Sequence, residues 1–234
     1  MKKAFWHKTN NFGDAIAPII LNHFTGDDIE FADRETKGKI ISIGSVIYAV
    51  REGDTVWGTG LIEDKQITLP QAEFLAVRGH LTKDRCGLDV NVFGDPGLLL
   101  PLIYFPNVEK KYKIGIIPHY TDKKFVEENI EKREDTLVID IQGDWKKVIE
   151  DILSCEMIVS SSLHGVIVPE AYGISVMWAV WTDNLIGGQF KFQDYFSGTG
   201  RGKQKPFAPI DPIENIKAIQ IGLIEALKSL CKNY

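Results

Sequence analysis

Met157-Ile158-Val159-Ser160-Ser161-Ser162-Leu163-His164-Gly165-Val166-Ile167-Val168-Pro169-Glu170-Ala171-Tyr172-Gly173-Ile174 is the stretch whose reading decides the fold. An apolar triplet breaks into three serines, a histidine and a glycine, and an apolar segment of helical character follows. The order describes a buried strand, a turn and a helix start, the repeating step of a parallel α/β sheet. It sets the His164 imidazole beside unpaired backbone N–H groups, where an α/β protein binds an anion and moves a proton. A structural histidine satisfied at a turn is the alternative that the stretch alone leaves open.

Outward from this turn the same alternation continues. Upstream lie an expected strand at Lys113 to Ile117, a helix from Lys123 to Lys132, a strand at Thr136 to Asp140 and a helix from Asp144 to Leu153; downstream comes a strand at Val176 to Val180. Pro169 predicts a kink or a late start in the helix after His164, since an interior proline costs about 3 kcal/mol. Asp211-Pro212-Ile213-Glu214 reads as a capping-box variant opening a last helix, with Ile216, Ile219, Leu223, Leu227 and Leu230 on one face.

The first half follows the same grammar. Ala4-Phe5-Trp6 is an expected strand, followed by a polar loop and by Asp14 as the N-cap of a helix that ends at Gly26. Lys39 to Gly44, Thr55 to Gly60, Glu73 to Gly79 and Val90 to Pro96 are four more strands ending in small residues. A boundary between Pro101 and Lys113 divides the chain into residues 1–108 and 109–234. The expected architecture is α/β: two Rossmann-like, doubly wound units facing one another across a cleft.

Bulk properties exclude several classes of function. The 234 residues carry a net charge of −5, with only six arginines against twenty-one lysines, so nucleic acid is not an expected partner. Cys86, Cys155 and Cys231 form no C-x-x-C pair, and the five histidines lack ligand spacing, so no metal site is expected. No apolar core follows Met1-Lys2-Lys3, and no run reaches the roughly 20 apolar residues of a membrane span. A cytoplasmic protein is expected.

Polar groups at expected strand ends are the candidates for chemistry: Asn11, Asp14, Ser45, Thr59, Arg78 and Asp95 in the first half, His119, Ser161, Ser162 and His164 in the second. Asp14 is more often only a helix cap and Asp95 before Pro96 more often a turn former. Arg78, between an apolar strand and Gly79, is expected to emerge at the sheet edge and pair with a carboxylate or phosphate; a surface salt bridge is its plain alternative. Gly198-Thr199-Gly200-Arg201-Gly202 lacks the strand and the G-K-[ST] ending of a P-loop and reads as a mobile loop near the cleft. Gly58-Thr59-Gly60 lacks the third glycine of a dinucleotide fingerprint, and Ser162 has no G-x-S-x-G elbow.

Taken in order, Asn11-Phe12-Gly13-Asp14, Trp57-Gly58-Thr59-Gly60, Val77-Arg78-Gly79 with Leu81-Thr82, Gly94-Asp95-Pro96, Ile116-Ile117-Pro118-His119 and Ser161-Ser162-Leu163-His164-Gly165 resemble the polysaccharide pyruvyltransferase family. Lys191-Phe192-Gln193-Asp194-Tyr195-Phe196 with Gly200-Arg201 looks like its exopolysaccharide, succinoglycan-type branch. The resemblance implies two halves similar to GT-B glycosyltransferases, phosphoenolpyruvate as donor substrate with no cofactor, and a pyruvate ketal on two sugar hydroxyls as product. It carries over His164 as catalytic acid/base and Arg78 as a donor-binding cation. Asp14 is a second catalytic candidate, toward the acceptor. Ser161, Ser162, Leu163, Gly165, Asn11 and His119 are candidate binding residues. Ser162 stands where some members carry an arginine, and either Lys191 or Arg201 is expected to replace that charge. The acceptor is a sugar, lipid-linked or free, and Pro101-Leu102-Ile103-Tyr104-Phe105-Pro106 reads as an interdomain core segment or as a contact to a membrane-borne acceptor. A sugar-nucleotide glycosyltransferase and a non-catalytic saccharide-binding protein are the rival readings.

Overall fold

The structure is a computed structural model and describes residues 1–8, 11–131 and 133–231. Two parallel sheets flanked by helices form an α/β fold made of Rossmann-like units. The first sheet contains β1 (Lys2–Phe5), β2 (Ile29–Phe31), β3 (Ile40–Ile41), β4 (Thr55–Trp57) and β5 (Glu73–Ala76), in the order β2-β1-β3-β4-β5. The second contains β6 (Tyr112–Ile117), β7 (Thr136–Val138), β8 (Cys155–Ser160) and β9 (Ser175–Trp178), in the order β7-β6-β8-β9. Every pairing within both sheets is parallel.

The order of each sheet fixes where a ligand can sit. From β1 the chain moves to the edge strand β2 and then returns to place β3 on the other side. From β6 it moves to the edge strand β7 and returns to β8. Each sheet therefore has one switch point, between β1 and β3 and between β6 and β8, where loops diverge and open a crevice at the strand C-termini.

Helices follow the expected pattern with shifted ends. Helix α1 (Phe12–Thr25) begins two residues before Asp14, with Asn11 at the N-cap, so Asp14 lies in the first turn. It ends at Gly26, whose φ of 66° is left-handed and which carries the closing N–H bond to the Asn22 carbonyl. Ile16, Ile20 and Leu21 are wholly buried on its core face, each burial stabilising by about 1.5–3 kcal/mol. Helix α2 (His80–Cys86) follows β5, and the 3-10 turn Pro96–Leu102 is capped by Asp95, which accepts from the Gly97 N–H. In the second unit come α3 (Lys123–Asn129), α4 (Trp145–Leu153), α5 (Leu163–Ala171), α6 (Phe190–Gly198) and α7 (Ile216–Leu227). Asp144, the expected first residue of the helix before β8, is the N-cap of α4.

Three expectations are corrected and one strand is added. Val90 to Pro96 forms no strand, only a single parallel bridge from Phe93 to Val77, one residue beyond the four-residue edge strand β5. β2, three residues with one alternating face, is an element the sequence reading did not separate from the loop around it. Pro169 does not delay α5: it is the seventh residue, where its missing N–H costs a single bond, and the helix ends two residues later. The last helix begins at Ile216 with Asn215 as cap, because Asp211 is engaged elsewhere, its carboxylate accepting from Gln204 Nε2. Of the polar loop after β1, Thr9 and Asn10 lie outside the described residues, as does Lys132 at the expected end of α3.

The division at residue 108 separates the two sheets, but the later chain returns to the first. Trp57 Nε1 donates to the Leu223 carbonyl of α7, and Asp194 of α6 pairs with Arg78 beyond β5. One apolar core joins Ala4, Trp57 and Ala76 of the first sheet to Ile117 and Ile158 of the second.

Candidate active site

The two switch points open into the same cleft, a space of about 490 Å³. From the first unit, His7, Asn11, Gly13 and Asp14 after β1 and Gly44, Ser45, Val46 and Tyr48 after β3 line it; from the second, His119, Tyr120 and Thr121 after β6 and Ser162, Leu163 and His164 after β8. The N-terminal ends of α1 and α5 both open onto this space. Neither N-cap side chain, Asn11 or Ser162, caps its own helix, and the first turns of both helices line the cleft.

His164 is the second residue of α5 and 5% exposed. Its ring lies against backbone of the first unit: a Cβ on Gly13 would stand 2.2 Å from its Cε1, and one on Gly97 would stand 3.7 Å from its Cδ2. Nε2 is 3.7 Å from Asp95 Oδ2. Both atoms are enclosed and have no hydrogen-bond partner among the described residues. The serines before His164 hold the turn: Ser160 donates to the Ile117 carbonyl and accepts from the Ser162 N–H, and Ser161 Oγ accepts from the His119 N–H. Gly165 is packing rather than binding: a Cβ there would meet Ser160 Oγ at 2.2 Å and Ile117 at 2.8 Å, so only glycine lets α5 descend onto the sheet. Ser161, 1% exposed, likewise faces the protein and not the cleft.

Lys191, from the first turn of α6, is the cleft's cation. Its ammonium has no carboxylate or hydrogen-bond partner among the described residues and lies 5.7 Å from the Phe192 ring. Burial, then the nearby Arg78 charge, lowers its pKa to about 8, against a weaker opposing pull from Asp122. His119 faces the same space with Nδ1 on the Thr121 hydroxyl, 2.7 Å away. Burial and then the charge of Lys191 push its pKa down to about 4, so it is neutral at physiological pH. Asp14 lines the opposite wall, where its Oδ1 accepts from the His7 N–H.

The two arginines are not where the sequence reading put them. Arg78 is wholly buried: its guanidinium donates to Asp194 Oδ2 at 2.9 Å, Ser45 Oγ at 2.8 Å and the Leu61 carbonyl at 2.5 Å. It stands behind Ser45, which lines the cleft, and its charge is felt at Lys191, while its donors are taken up inside the protein. Arg201 pairs with Glu170 on the far side of α5 and borders a different pocket. Its loop is held rather than mobile, with Thr199 and Arg201 both buried. Of the two candidates for the missing charge, Lys191 alone lines the cleft.

The sequence reading missed His7 and Tyr48, which face each other across the cleft's outer wall, the Tyr48 hydroxyl 2.6 Å from His7 Nε2. No local motif marks them; the β1–β3 adjacency brings them together. Asp95 was flagged, but its cap geometry hid the second carboxylate oxygen that faces His164.

Comparison with known proteins now decides the family. The model of the polysaccharide pyruvyl transferase family matches residues 13–184. The chain belongs to that family. The matched span contains Asp14, Asp95, His119 and the Ser161–Gly165 turn of this pyruvyl transferase family member, but Asn11 and Lys191 fall outside it. An uncharacterized protein of Acanthamoeba polyphaga mimivirus is 33% identical over 186 residues, 72% of this chain and 63% of that protein. The chain thus covers somewhat less than two-thirds of that relative's length. No helix among the described residues is long and apolar enough to cross a membrane.

Proposed function

We propose that the protein transfers the pyruvyl group of phosphoenolpyruvate onto two hydroxyls of a sugar, forming a pyruvate ketal and releasing phosphate. The acceptor we assign is a saccharide of a bacterial surface or exopolysaccharide repeat unit, and the two facing units work in the manner of a GT-B-like enzyme. The observation that carries this is the meeting of an unpartnered, buried Lys191 with His164 in one cleft of a family member.

Phosphoenolpyruvate carries a carboxylate and a phosphate a few bonds apart, so its site needs two sources of positive potential. Lys191 supplies one and the N–H groups opening α5 supply the other. Arg78 strengthens the field from behind without touching the ligand. On the opposite wall Asp14, His7 and Tyr48 offer the acceptor and donor groups that suit a neutral polyol.

The chemistry then divides into an addition and a displacement at C2. A proton reaches the C3 methylene as the first sugar hydroxyl attacks C2, losing its own proton to a base. The second hydroxyl attacks the same carbon, the C2–O bond to phosphate breaks, and the hydroxyl proton departs with inorganic phosphate. His164 is the acid/base in these transfers, a role worth roughly 10²–10⁴-fold. Asp14 orients the acceptor. Proton transfer is assigned to side chains and anion stabilisation to Lys191 and the N–H groups opening α5, so the proposed reaction calls for no cofactor.

Thermal denaturation with phosphoenolpyruvate or with UDP- and GDP-sugars tests the donor. A ligand at about 100 times its Kd stabilises the native state by about 2.7 kcal/mol, which raises Tm by roughly 5–10 °C for a chain of this size. Phosphoenolpyruvate is expected to do so for the wild type and not for Lys191→Gln. A response to sugar nucleotides in its place would make the protein a glycosyltransferase; a response to saccharides alone would make it a binding protein.

A further inference from the structure

Asp95 and His164 come from different units and different elements, yet each presents one enclosed polar atom to the other. Asp95 caps the turn Pro96–Leu102 through Oδ1, which accepts from the Gly97 N–H at 2.8 Å. Capping explains that oxygen and leaves Oδ2 unexplained. Oδ2 lies 3.7 Å from His164 Nε2, and neither has another partner among the described residues. Two buried, unsatisfied polar atoms cost about 1–3 kcal/mol each, and one proton on Nε2, directed at Oδ2, offsets both. Separations at catalytic pairs are commonly long before substrate binds and tighten afterwards.

We infer that Asp95 is a positioning residue for His164, fixing the imidazole as its Nε2–H tautomer and leaving the Nδ1 lone pair to the cleft. The inference rests on the reading of His164 as the acid/base. The rest of the enclosure has the same purpose. Gly13, from α1, sits so close to the ring that any side chain there would displace it, and Gly97 backs the opposite part. Asp95, Gly13 and Gly97 belong to the first unit and His164 to the second. The pair therefore exists only when the two units are docked, and docking itself makes His164 competent.

Other titratable groups bear on the ring. Asp14, His7, Tyr48, His119 and Lys191 line the same cleft, and Tyr195 lies close enough to feel the Asp95 charge. Asp95→Asn removes only the charge facing Nε2 while its remaining oxygen keeps the cap, so a change confined to His164 isolates this pair from that background.

The test is the ring-nitrogen NMR spectrum of histidine-labelled full-length protein across pH, with His164 assigned by the signals lost in His164→Gln. In the wild type the neutral His164 ring is expected as the Nε2–H form. In Asp95→Asn the Nδ1–H form gains population, because the charge that holds the proton on Nε2 is gone. A tautomer ratio unchanged in a folded Asp95→Asn protein overturns the inference. Gly13→Ala, which displaces the ring with Asp95 intact, must show the same gain of the Nδ1–H form, and an unchanged spectrum there overturns the inference equally if Asp95→Asn does not fold. No substrate is needed. Phosphoenolpyruvate failing to bind the wild type would remove the pyruvyl-transfer reading and leave this pair untouched.

Discussion

Lys191 shows at the scale of one residue how a functional group is kept against the interest of the fold. An ammonium buried beside Phe192 and near Arg78 has lost hydration without gaining a carboxylate, and its pKa is lowered from 10.5 to about 8. The folded form is thus the one that sheds the proton first. Between pH 8 and 10.5 the unfolded chain binds more protons, so the Lys191 contribution to stability rises with pH over that window and is unfavourable below it. Lys191→Met is expected to raise Tm at pH 7, by about 2–4 °C for each kcal/mol relieved, while abolishing stabilisation by phosphoenolpyruvate. In the wild type, donor affinity measured by calorimetry should fall as pH rises through about 8, because the ammonium that holds the anion loses its charge. A Tm that drops in Lys191→Met, or a donor affinity flat to pH 9.5, would contradict this account.

At the scale of elements, the strand-turn-helix around His164 was legible because its order is local: apolar strand, small polar turn, apolar helix. The strand ran one residue beyond the expected end at Val159, and His164 proved to lie within α5, not ahead of it. Arg78 was misplaced because its environment is not local. Its partner Asp194 lies 116 residues away on α6, and no reading of Val77-Arg78-Gly79 reveals that a helix will descend on it. Gly79 and Gly198 make that descent possible, since a Cβ on either would strike backbone of the other segment at about 2 Å or less. Arg78→Lys is therefore a lesion of packing. Losing the fork to Asp194, Ser45 and the Leu61 carbonyl is expected to cost on the order of 2 kcal/mol or more, seen as a lower denaturant midpoint. Donor affinity measured below the new midpoint should change little, whereas loss of donor affinity at unchanged stability would restore Arg78 to the site.

At the scale of the molecule, the α/β class and the two-sheet division follow from hydrophobic period and turn chemistry, which are properties of short windows. The order of strands within each sheet is not, and it is that order which puts His7 beside Tyr48 and His119 beside Ser161. The return of α6 and α7 to the first unit was invisible for the same reason. Trp57 donating to Leu223 spans 166 residues, and only the apolar face of α7 hinted that it would find a surface. Those returning helices tie the two switch points together, so the cleft is a property of the docked pair and of neither sheet alone. The reaction assigned to it is tested most directly by phosphate release from phosphoenolpyruvate against a panel of lipid-linked and free saccharides, with wild-type protein and with His164→Ala. The account predicts acceptor-dependent release by the wild type and a loss of about 10²–10⁴-fold in His164→Ala of unchanged Tm; release by His164→Ala at the wild-type rate would contradict it.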